Sequence, residues 1–114
     1  MAEPVHYSLA DGVATLRMDD GKANAFGHVM MQALSAALDR AAGEADVTVI
    51  RGREGVLCGG FDLKVIRGDP SGVPALVNAG QDLLMKAWLH PQPLLIGVTG
   101  HAVAAGALLV LTAD

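Results

Sequence analysis

Two turns built from glycine, alanine and other small residues constrain this chain more than any other feature. They are Leu57-Cys58-Gly59-Gly60-Phe61-Asp62-Leu63-Lys64 and Gly100-His101-Ala102-Val103-Ala104-Ala105-Gly106. Each follows a short apolar run, and each opens into a helical run. Strand, turn and helix in that order, met twice, call for an α/β fold. A turn of this kind leaves backbone N–H groups unpaired at a helix N-terminus. Two such turns face to face would hold one anionic oxygen between two donors, the geometry of an oxyanion hole. That chemistry asks for small residues and no particular side chain. Close packing without a ligand also selects small residues, so one turn alone decides nothing. The matching places of the two turns in successive units favour the ligand. A phosphate loop is weakly supported: Gly100 and Gly106 lack the Walker spacing, and no G-x-G-x-x-G follows either strand.

Hydrophobic periodicity fills in the rest. Val5-His6-Tyr7-Ser8-Leu9 and 13–18 alternate like strands around Asp11-Gly12, a hairpin signal. Ala23-Asn24-Ala25-Phe26-Gly27 reads as a loop. Met30, Leu34, Ala37, Leu38 and Ala41 recur at helical spacing and predict a helix over 28–42, stopped by Gly43. Val47-Thr48-Val49-Ile50 reads as a buried strand. Asp69-Pro70-Ser71-Gly72 is a loop. Residues 73–88 predict a helix with Leu76, Leu83, Leu84 and Trp88 near one face, ended by His90-Pro91-Gln92-Pro93. The stretch 94–113 is long enough to cross a bilayer and has His101 as its single ionisable group. Gly97, Thr99, Gly100 and His101 instead split it into a buried strand and a buried helix, and no positive cluster flanks it. The units 47–66 and 94–111 echo each other in structure without repeating in sequence.

A chain of 114 residues suits one domain with one core. Hydrophobic residues make up 52% and charged ones 18%, which is apolar for a free-standing domain of this size. The uncapped apolar run 107–113 points the same way, to an incomplete domain. Net charge is −4 with Lys and Arg scattered, which argues against nucleic-acid binding. The lone Cys58 excludes an internal disulfide and fits a reducing, cytoplasmic compartment. Met1-Ala2-Glu3-Pro4 has neither the basic start nor the apolar run of a signal peptide. His6, His28, His90 and His101 lie singly, without the spacing of metal ligands, so no metal is expected.

Three segments carry a family resemblance. Lys22-Ala23-Asn24-Ala25-Phe26 is similar to a segment around Asn-Ala in the crotonase superfamily, the enoyl-CoA hydratase/isomerase group. Residues 57–64 resemble that family's Phe-Ser-Ala-Gly-Ala-Asp-Leu-Lys motif. Residues 96–106 resemble its Ala-Ala-Val-Asn-Gly-x-Ala-x-Gly-Gly-Gly motif, and Asp114 matches the Asp closing the next helix. The resemblance spans essentially the whole chain, as the N-terminal portion (1–114) of a longer acyl-CoA-binding domain. It implies a crotonase-like spiral of repeated ββα units and an acyl-CoA thioester as substrate, with no cofactor beyond the coenzyme A of that substrate. It places the two oxyanion donors on the N–H groups of Phe61 and Ala105. It lays Lys22, Ala23, Ala25, Gly59, Gly60, Asp62, Leu63, Ala104 and Leu108 along the substrate, and it implies a homotrimer or hexamer.

The departures from the family pattern carry as much information. Where the family's hydratases have a glutamate after the glycine stretch, this chain has Leu108, which moves no proton. An enoyl-CoA isomerase with its base beyond Asp114 is therefore favoured; a hydratase and a non-catalytic acyl-CoA-binding module are the alternatives. Ala104 and Ala105 replace two glycines, which a helix start tolerates at negative φ. Phe61 is larger than the family's alanine and is expected to narrow the acyl pocket. Asp62 reads as a helix N-cap, Cys58 as a small buried residue, and Lys22 and Lys64 as solvated lysines able to reach phosphates. His101 is assigned to packing or hydrogen bonding, and Glu54 is the only acid near the first turn on its strand side.

Overall fold

A two-residue turn sets the first unit. Asp11 and Gly12 both take positive φ, 53° and 79°, as a hairpin matched to strand twist requires. They join β1 (Val5–Ala10) to antiparallel β2 (Val13–Met18), and α1 (His28–Glu44) follows. The structure, a computed structural model, describes residues 3–114; the reading of Met1 and Ala2 lies outside them. The second unit is β3 (Val47–Arg51), β4 (Gly55–Cys58) and two helices, α2 (Leu63–Gly68) and α3 (Val73–Trp88). The third is β5 (Leu94–Gly97), β6 (Gly100–Ala102) and α4 (Ala105–Leu111). The chain is thus a mixed α/β structure of repeated strand–strand–helix turns.

The repeat appears directly in the pairing. One sheet runs β1-β2-β3-β5 and a second runs β4-β6. β3 pairs with β5 and β4 with β6, both in parallel, so each strand of the second unit lies beside its counterpart in the third. The core gathers Ala14, Leu16 and Met18 of β2, Ile50 of β3 and Leu94 of β5 with Met30, Met31, Leu34, Leu38 and Ala41 of α1. Full burial of each large side chain contributes about 1.5–3 kcal/mol.

Several local readings needed correction. Gly43 does not stop α1, which runs to Glu44 with the Ala45 N–H bonded to Ala41 O. Gly43 meets open space inside the helix, so nothing there requires glycine. Residues 70–72 form a 3-10 turn (Pro70–Gly72) in place of an open loop. β4 and β6 read locally as parts of turns, because each is defined by its partner and has too few residues for a period. Trp88 is 62% exposed, and the buried face of α3 is Leu76, Gly80, Leu83 and Ala87. α4 buries only Ala105, Gly106 and Leu109, leaving Leu108 and Leu111 exposed. No helix among the described residues is long and apolar enough to cross a membrane.

Asn24 locks the loop before α1. It is fully buried at φ 53°, a left-handed conformation that Asn tolerates better than most residues. Its Nδ2 donates to Met18 O (2.9 Å) and Leu57 O (3.1 Å), and its Oδ1 accepts from Asp20 N–H (3.0 Å). Asn24→Ala removes these bonds and strands two buried carbonyls. The expected loss is about 3 kcal/mol, read as a lower urea midpoint at unchanged slope.

Candidate active site

The two small-residue turns meet. A β-carbon added at Gly60 would stand 3.0 Å from Val103 O and 3.5 Å from the Ala105 nitrogen. Gly60 also sits at φ +91°, so glycine is required there for both conformation and space. Gly106 serves the same approach from the other side, because a β-carbon there would overlap the Cys58 carbonyl.

Peptide planarity then sets the direction of two N–H groups. In a trans peptide the C=O and the next N–H point opposite ways. Gly60 O accepts from Phe26 N–H at 2.7 Å, which turns Phe61 N–H away from Phe26. Ala104 O accepts from Leu108 N–H at 3.1 Å, which turns Ala105 N–H out of the start of α4. Among the described residues neither N–H donates to any acceptor. Ala105 is only 3% exposed, and a buried donor without a partner is uncommon enough to call for an explanation.

Ala104 corrects the expectation of a negative φ. It takes φ 52°, ψ −116°, and the Gly106 N–H bonds Val103 O at 2.8 Å. This is a turn whose first central residue is normally glycine. Holding an alanine there costs on the order of 1–3 kcal/mol, the kind of strain that clusters at functional sites. Ala104→Gly is expected to raise stability by about 1 kcal/mol, seen as a higher thermal midpoint. An unchanged or lower midpoint would count against strain at this residue.

Beside the turns lies a cleft of about 440 Å³ lined by Asp20, Lys22, Ala23, Ala25, Gly59, Phe61, Asp62, Leu63 and Lys64. Its walls are laced together by Gly59 N–H to Ala23 O (2.9 Å) and Asp62 N–H to Phe26 O (3.1 Å). The cleft collects Lys22, Ala23, Ala25, Gly59, Phe61, Asp62 and Leu63 of the expected site. Gly60, Ala104, Ala105 and Leu108 are not among its lining. Gly60 joins the cleft-lining turn to Ala104 and Ala105. Leu108 lies one turn further along α4 and is 50% exposed.

Individual side chains sort clearly. Asp62 caps α2, accepting Lys64 N–H at 2.9 Å. Cys58 is buried, and desolvation pushes its thiol up to about 11, against a weaker opposing hydrogen bond from Gly60 N–H. At that value it is no thiolate nucleophile. Lys22 and Lys64 are exposed and form no ion pair among the described residues. Glu54 is exposed on the approach to β4. His101 pairs with Val56 through the β4–β6 ladder, but its side chain is exposed and makes no hydrogen bond among the described residues, so the packing or hydrogen-bonding role expected of it is not seen. His90 holds Thr48 Oγ1 at 2.7 Å, and burial lowers its pKa against the raising effect of Asp114. No group of three potential metal ligands forms among the described residues.

Phe61 lines the cleft and also packs inward. Its ring turns toward α3, where a β-carbon on Gly80 would stand 2.5 Å from Cε1 and Cζ. It also meets Phe26 edge-on at 6.5 Å between centroids. Sequence reasoning overlooked this seat, along with Asn24 and the Arg53 Nη1 bond to Lys22 O (2.7 Å) that steadies the cleft rim. A glycine on the apolar face of α3 was the available signal.

Comparison with known proteins decides the family. A family model for enoyl-CoA hydratase/isomerase matches residues 8–114. The chain belongs to the enoyl-CoA hydratase/isomerase family. It is 33% identical over 112 residues to a probable enoyl-CoA hydratase of Rhodobacter capsulatus, a match covering 96% of this chain and 44% of that protein. A crystal structure of a Pseudomonas syringae hydratase/isomerase family protein superposes with TM-score 0.93 at 41% identity, covering 97% of this chain and 48% of the other. An enoyl-CoA isomerase of Mycobacterium tuberculosis gives TM-score 0.93 at 39% identity, covering 100% and 50%. The chain thus spans about half the length of these relatives and shares their crotonase fold.

Proposed function

We propose that this chain binds an acyl-CoA thioester with its carbonyl oxygen between Phe61 N–H and Ala105 N–H. The observation that carries the reading is a pair of unpartnered backbone donors on two turns in contact. A base outside these turns takes a proton from the α-carbon of a 3-enoyl thioester. The electron pair moves onto the carbonyl oxygen, where the two amides stabilise the dienolate. The proton returns at the γ-carbon, giving the 2-enoyl product with atoms and charge balanced. Ala23 and Ala25 line the path of the coenzyme, with Lys22 and Lys64 free to meet its phosphates.

Leu108 separates isomerisation from hydration. Its side chain neither delivers nor accepts a proton, so water addition assisted by two acids lacks one of them. Cytoplasmic location and trimeric or hexameric assembly belong to the same reading; the exposed Trp88, Leu89, Leu95 and Leu111 supply apolar surface for association.

Incubation of the protein with 3-enoyl-CoA and, separately, with 2-enoyl-CoA tests the assignment. Double-bond migration is expected to outpace hydration, followed by chromatography of the two products. Hydration at least as fast as migration defeats the argument from Leu108 and favours a hydratase. Binding without either reaction favours a non-catalytic acyl-CoA module.

A further inference from the structure

We propose that Gly80, in the middle of α3, is a positioning residue for the Phe61 donor. This rests on the oxyanion reading above and extends it to a residue outside the two turns. Phe61 is held twice. Its backbone is fixed by Phe26, which bonds Gly60 O (2.7 Å) and accepts from Asp62 N–H (3.1 Å). Its ring is fixed between Phe26, edge-on at 6.5 Å, and the bare backbone of Gly80. A β-carbon at position 80 would come within 2.5 Å of the ring, well inside contact distance, so one of the two must move. Gly80 is buried, so the ring has no slack toward solvent on that side. A mid-helix glycine costs about 1 kcal/mol relative to alanine, a cost that room for the ring offsets.

The ring and the donor N–H share one Cα. Phe26 blocks the ring's other side, so a methyl group at position 80 is expected to push the ring back on its Cα, tilt the 60–61 peptide and turn the Phe61 N–H off the carbonyl oxygen. Displacements of about 1 Å at a reacting centre cost up to about 10²-fold in rate. The cleft residues other than Phe61 keep their places, so the loss falls on kcat more than on KM.

The test uses Gly80→Ala, Phe61→Leu and the double variant, each checked for folding by circular dichroism. Gly80→Ala is expected to lower kcat about tenfold to a hundredfold with KM near the parent value. In the Phe61→Leu background, where the ring is gone and the amide remains, the same substitution is expected to cost less than about threefold. A conjugated aryl-acyl-CoA supplies a spectroscopic readout, because its absorption moves to longer wavelength as the thioester carbonyl is polarised. The red shift should shrink in Gly80→Ala and be restored in the double variant relative to it. Equal losses in both backgrounds, or a full red shift in Gly80→Ala, overturn the positioning role while leaving the oxyanion reading standing. No red shift and no turnover in the parent overturn the oxyanion reading itself, and the positioning role with it.

Discussion

Ala105→Pro is expected to abolish acyl-CoA turnover, lowering kcat/KM by about 10²–10³-fold or more. Ala105 is the first residue of α4, a position where proline's fixed φ suits a helix and its missing N–H breaks no intrahelical bond. The lost N–H donates to nothing among the described residues, but proline also crowds the residue before it, and Ala104 sits at ψ −116°, so a lower melting point is expected alongside the loss of rate. Rates are therefore compared at a temperature where circular dichroism shows the variant folded, so that the loss reports on the ligand. A folded variant turning over at the parental rate would remove Ala105 from the chemistry.

A large stability effect is expected from Gly106→Ala, one residue further on. A β-carbon there would overlap the Cys58 carbonyl at the end of β4 and stand 2.9 Å from Cys58 Cβ. The clash is with main chain, so no side-chain rotation relieves it. The expected cost is about 3 kcal/mol or more, measured as a fall in the urea midpoint. An unchanged midpoint would contradict the close approach of α4 to β4. The pair of predictions also divides the labour in the second turn: Gly106 lets the helix start sit against β4, and that seat brings Ala105 beside Gly60.

Sequence-based reading succeeded where the signal was local. The Asp11-Gly12 hairpin, the stripe Met30-Leu34-Leu38-Ala41 and the span of α3 follow from turn chemistry and periodicity within one element. The two turns were legible because glycine and alanine mark both close approach and free amides. What escaped depends on partners far along the chain. β4 and β6 exist through each other, 45 residues apart at the Gly55–Gly100 pairing (100 − 55). Trp88 looked like part of the packed face because an apolar stripe does not say which of its members is covered. The positive φ of Ala104 was hidden because alanine seldom adopts it, and the Phe61 seat because it needs Gly80, nineteen positions on (80 − 61).

The central claim is that the amides of residues 61 and 105 share one oxygen atom. A crystal structure of the protein with a bound 3-ketoacyl-CoA, an enolate mimic, tests it most directly. The account predicts the thioester oxygen about 2.7–3.1 Å from both nitrogens. A thioester oxygen bonded to one of them only, or lying elsewhere in the cleft, would contradict it.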